Sequence, residues 1–178
     1  MLISFVTTKN KELTDAFVKI KRPKSFAAVV DAYQYRFFTN VSELRNNAES
    51  VALAMLKQRR LPSLALRLAL LLLQPPLILT IIENIDKTGL LHPGVVESNL
   101  KSWNRAVESY SQQDIAALET KLRLSQSAGV RRLGLALLVE ATGRYGWNGE
   151  YCGHLCEYCN DSDLWVSEAA GLIEPPLA

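Results

Sequence analysis

A phosphate-binding GxxxxGK[ST] loop, a secreted-type cysteine framework and an unbroken bilayer-length apolar run are all missing from these 178 residues. The first absence removes the common nucleotide-hydrolysing motif. Cysteine is scarce, with three residues confined between Cys152 and Cys159. An extracellular disulfide scaffold spreads an even number along the chain, so that class is excluded. The most apolar stretch, Leu61 to Ile82, is interrupted by Arg67, Gln74 and the Pro75–Pro76 pair. It falls short of the ~20 consecutive apolar residues that a bilayer crossing needs, and it reads as two core helices joined at the prolines. Strand alternation is also scarce, with only Leu2 to Thr7 available as a short strand or docking arm.

What is present is ordinary globular material. Hydrophobic residues make up 48% and charged residues 21%, enough to build a core and too little charge for disorder. The net charge of +2 implies no polyanion partner by itself. The distribution is uneven: residues 1–60 hold eleven of the 20 Lys/Arg and five of the 18 Asp/Glu. Residues Met1 to Leu13 have no charged leader before their apolar run and no small-residue cleavage site, so no signal peptide is expected and the chain reads as cytoplasmic.

Helical spacing dominates. The pattern predicts a short helix over Lys11–Ile20, closed by Lys21–Arg22–Pro23–Lys24, so residues 1–24 form an arm and short helix ahead of one domain over 25–178. Helices follow at Ser25–Phe38, Ser42–Arg59, Ser63–Leu73 and Pro76–Asp86, the last ended by Gly89 as a C-cap. Further helices are expected at Val95–Tyr110, from Ser111–Asp114 to about Leu124, and at Ala128–Gly143, Glu150–Cys159 and Leu164–Ile173. Internal similarity accompanies them. Arg67 aligns with Arg132 at 65 positions, and Val130 with Val166 at 36, placing Gly134 over Ala170. A period of about 33–40 residues with two helices per unit is the signature of a helical solenoid.

The segment Asp161–Asp163–Val166–Ala169–Ala170–Ile173 resembles the inner helix of a HEAT repeat: an acidic turn, a valine, a basic residue, then small and aliphatic core positions. Ser167 stands where the basic residue belongs, while Val130–Arg131 restores the valine–basic pair without acids before it. The helix Glu150–Cys159 is similar to the outer partner. The resemblance is clearest over residues 128–174, and it implies an all-α solenoid of stacked antiparallel helix pairs that binds other macromolecules. The expected function is a non-enzymatic adaptor holding a protein partner, with no cofactor. The same resemblance implies alternatives. One is a bilin lyase acting on phycobiliproteins, which needs a pocket with an acidic or tyrosine contact; another is a nucleic-acid-binding repeat. The helical tail also resembles C-terminal modules of NACHT-type signalling ATPases, to which a chain without a phosphate loop contributes only as a separate piece.

Candidate site residues fall in three groups. Arg144, Tyr145, Trp147, Asn148 and Tyr151 surround a glycine-aromatic loop of the kind used as an interaction hot spot, although Trp147 alternatively folds back as an anchor. Lys19, Lys21, Arg22 and Lys24, with Lys57, Arg59 and Arg60, would meet phosphates or simply form a solvated face. Cys152, His154, Cys156 and Cys159 spell CxHxCxxC, which suggests zinc. On a helix, however, His154 points about 200° from Cys152, and no second Cys/His cluster completes a tetrahedron. Three cysteines along one stripe suit a repeat core instead, and no metal is expected. Asp161 and Asp163 read as helix caps rather than acid–base groups, and His92 as a turn residue.

Overall fold

The computed structural model describes residues 62–72, 75–103, 107–108 and 110–175. Among the described residues every regular element is helical: seven α-helices, one short 3₁₀ turn and no strand. The expected N-terminal arm, its possible strand, the helices before residue 60 and the boundary at residue 24 lie outside the described residues. Contacts divide the chain into two compact units, Met1–Leu91 and His92–Ala178.

In the first unit, α1 (Pro62–Leu72) packs on α2 (Pro75–Lys87). The prolines fall at the first two positions of α2, where a missing N–H costs nothing. Ala65, Leu66, Leu68, Ala69 and Leu70 are buried, as are Ile78, Ile81, Ile82 and Ile85. Those residues of the apolar stretch are therefore core, and among the described residues no helix is long and apolar enough to cross a membrane. Gly89, at φ 69°, ends α2 as expected. Its N–H reaches the Asp86 carbonyl at 2.8 Å and that of Leu90 reaches Ile85 at 3.1 Å, closing a Schellman turn.

The second unit holds α3 (Pro93–Glu97), α4 (Gln112–Arg123), α5 (Ala128–Tyr145), α6 (Gly149–Cys159) and α7 (Leu164–Gly171). The single helix expected over Val95–Tyr110 is broken after Glu97, and a 3₁₀ turn follows at Leu100–Ser102. Ser98 Oγ and Asn99 Nδ2 both donate back to the Val95 carbonyl, at 3.0 and 2.7 Å, offering the backbone an alternative to continuing the helix. Val96, Trp103 and Val107 are nevertheless buried, and Leu100 is half-buried.

α5 is the centre of this unit, packing on α4, α6, α7 and α3. Four residues join α4 to α5 and four join α6 to α7, links short enough to fold each helix back on its predecessor. Caps define the starts: Ser111 accepts from Asp114 N at 3.1 Å, Asn148 from Tyr151 N at 2.8 Å and Asp163 from Trp165 N at 3.0 Å. A cluster of Leu135, Leu138, Tyr151, Leu155, Tyr158, Val166 and Ala170 fills the space between α5, α6 and α7.

Candidate functional site

Two polar bridges hold the helices of the second unit together, and both start from residues that periodicity alone does not single out. Arg131, in the first turn of α5, donates through Nε and Nη2 to Asp161 at 2.6 and 2.7 Å. Its Nη1 also reaches the carbonyls of Ser125 and Gln126, at 3.0 and 2.9 Å. One guanidinium therefore ties the α4–α5 turn to the α6–α7 turn. Bonding from Arg131 holds the Asp161 carboxyl below the ordinary aspartate range, against the opposing effect of burial. Asp161 also accepts from Asp163 N at 2.8 Å, so it braces the turn before α7 while Asp163 is the cap itself.

The other bridge is buried. Glu119 of α4 is 2% exposed and accepts from Tyr158 Oη of α6 at 2.9 Å. Arg123 Nε lies 3.2 Å from the same carboxylate, and His154 Nδ1 lies 2.9 Å from its other oxygen. Arg123 also reaches His154 Nε2 at 3.3 Å and pairs with Glu157. Burial pushes the Glu119 carboxyl up, opposed by His154, Tyr158 and Arg123, and burial pushes the Tyr158 hydroxyl up more strongly. With Glu119 and Tyr158 closed to solvent and facing each other, this cluster fastens α4 to α6 rather than offering a nucleophile or base to a substrate. Gly134 makes the fit possible, since a Cβ there would stand 2.4 Å from the Tyr158 hydroxyl and 3.0 Å from Leu122 Cβ.

The glycine-aromatic segment is shorter than its sequence suggests. α5 runs on through Tyr145, so Arg144 and Tyr145 belong to its last turn, and Gly146 caps it at φ 79°. Each candidate residue is tied from below. Arg144 donates to the Val107 carbonyl and lies 5.3 Å from the centre of the Tyr145 ring. Tyr145 Oη bonds the Tyr110 carbonyl at 3.3 Å, Trp147 packs on the core cluster, and Asn148 caps α6. Tyr151 is 3% exposed and meets Gln112 Nε2 at 3.4 Å. Outward remain Gly143, Arg144, Gly146, Asn148, Gly149 and Glu150, with Tyr145 and Trp147 half-buried. Beside them lies an open hollow lined by Val107, Glu108, Glu140, Gly143 and Arg144. Burial raises the Glu140 carboxyl above its ordinary range.

The cysteines require a correction. Cys152, Cys156 and Cys159 share one stripe of α6, but all three are exposed and unbridged rather than in the core. The stripe one residue earlier, Tyr151, Leu155 and Tyr158, has the same spacing and larger apolar side chains, and it takes the buried face. His154 turns toward Glu119 and Arg123 instead of joining the thiols. Among the described residues no group of three or more His, Cys, Asp or Glu converges on a metal position. The basic set Lys19, Lys21, Arg22, Lys24, Lys57, Arg59 and Arg60 lies outside the described residues.

No family model, curated protein or solved structure matches the chain.

Proposed function

We propose that the protein is a non-enzymatic, cytoplasmic scaffold of HEAT-like type that holds a protein partner on the Gly143–Glu150 edge of its second unit. What supports the HEAT-like reading is the role of Arg131 and Asp161. The resemblance places an acidic turn and a basic residue in each unit; here the acid of α6–α7 meets the base of α4–α5. The interaction reading rests on one observation above the others. Arg144, Tyr145, Trp147 and Asn148 are each fixed to the helices beneath them, while the backbone around them stays exposed next to an open hollow. A surface already ordered before contact loses little conformational entropy when a partner settles on it. An arginine and two half-buried rings supply the side-chain types that dominate binding energy.

The test is affinity capture from native lysate at low and at high salt, comparing the wild-type chain with Arg144→Ala. A defined protein recovered at both salts and lost from the variant, whose melting temperature is measured in parallel, agrees with the proposal. Recovery of nucleic acid only at low salt, unchanged in the variant, contradicts it, because steep salt dependence marks phosphate contacts.

A further inference from the structure

Cysteine is among the residue types most often buried, so three exposed thiols on one face of one helix call for a chemical account. Cys156 is the middle member, four residues after Cys152 and three before Cys159. Both intervals make neighbours on a helix surface, with Cβ atoms about 5–6 Å apart. That spacing discriminates between the reactions open to a thiol pair. A disulfide needs Cβ atoms about 3.5–4.5 Å apart, closer than neighbours on a helix surface stand, so closing one would distort α6 locally, and all three cysteines are unbridged. An ion bound between two sulfurs, at about 2.3 Å each, spans roughly 4.6 Å from sulfur to sulfur and fits an intact helix. Zinc wants four ligands, and the histidine of this segment is engaged with Glu119 and Arg123. Two thiolates alone select soft cations. Asn160 Nδ2 donates to Cys156 Sγ at 3.7 Å, so the middle sulfur already has a polar neighbour. The face is open, since all three cysteines are exposed.

We propose that Cys156, paired with Cys152 or Cys159, binds a soft two-coordinate cation of the Cu(I) class. Binding forms two metal–sulfur bonds and releases the two thiol protons to solvent, with no change of oxidation state. Because Cys156 belongs to both pairs, it is the residue the site cannot lose.

The reduced full-length chain is titrated anaerobically with Cu(I) against a chromophoric Cu(I) chelator, with Zn(II) as the comparison ion and circular dichroism as the check on folding. Wild type is expected to withdraw one Cu(I) per chain. Cys156→Ser should weaken binding by about 10²-fold or more, as a chelate reduced to single thiols would. Cys152→Ser and Cys159→Ser should each keep most of it, since one pair survives. Any of four results overturns the proposal: no Cu(I) withdrawn by wild type, equal binding by folded Cys156→Ser, Zn(II) held as tightly as Cu(I), or one ion joining two chains by gel filtration.

Discussion

Gly134 shows how much of the second unit rests on one missing side chain. Its hydrogen lets the Tyr158 hydroxyl and the α4 segment around Leu122 and Arg123 close onto α5. Adding a methyl forces the buried ring away from Glu119 or spreads the helices, and overpacking of this kind costs about 1–3 kcal/mol. Gly134→Ala should therefore lower stability by that amount in urea unfolding. In a Tyr158→Phe background, where the obstructing oxygen is gone, the same change should cost clearly less. Additive losses would show that the clash does not control the effect. Asp161 makes a pH-dependent statement. Its carboxyl titrates below its ordinary value of 3.8 because Arg131 binds the ionised form. The stabilisation is thus fully present above that value and lost as pH falls through the depressed one. Asp161→Asn should be about 2 kcal/mol less stable than wild type near neutral pH, with the difference shrinking below pH 3.8. A gap that persists undiminished into stronger acid would contradict the bridge. Sequence spacing reads Asp161 as a cap and does not reveal this bond, because its partner sits 30 residues earlier on another helix, while the repeat pattern places the basic residue inside the same helix, at Ser167.

At the scale of elements, helix positions were largely legible because caps and apolar spacing act locally. Pro75–Pro76, Gly89, Ser111 and Asp163 each mark the boundary their chemistry implies. Two features were not legible, for different reasons. The break after Glu97 depends on side chains of Ser98 and Asn99 competing for the Val95 carbonyl, which periodicity does not register. The orientation of α6 depends on which of two stripes with identical spacing gains more by burial, and the cysteine stripe loses to Tyr151, Leu155 and Tyr158. Leu155→Ala should consequently cost about 2–5 kcal/mol, as removal of a buried leucine does. Replacing all three cysteines by serine should change stability by no more than about 0.5 kcal/mol per site. Thermal unfolding of the two variants separates these cases, and a large loss from the serine variant would reverse the assignment of the faces.

Across the whole molecule, the described helices divide their labour. In the first unit, residues of α1 and α2 such as Leu66, Leu68, Ile78 and Ile82 are buried, and the second unit combines an apolar cluster with the Arg131–Asp161 and Glu119–Tyr158 bridges. The all-helical class followed from hydrophobic spacing. The candidate surface was visible only in outline. The run from Arg144 to Tyr151 is the segment that sequence reading proposes, and spacing does not reveal that Tyr151 faces the core or that Val107, Glu108 and Glu140 border the exposed edge. Those relations join residues about 35 positions apart, such as Tyr145 with Tyr110, and only the folded chain brings them together. The most direct test of the proposed scaffold is photocrosslinking in native lysate from a probe placed at exposed Glu150, with the same probe at exposed Lys121 on α4 as the comparison. A discrete protein adduct from position 150, insensitive to salt and absent from position 121, is the expected result. Equal adducts from both positions, or none from position 150, would contradict the assignment of the Gly143–Glu150 edge as the partner-binding surface.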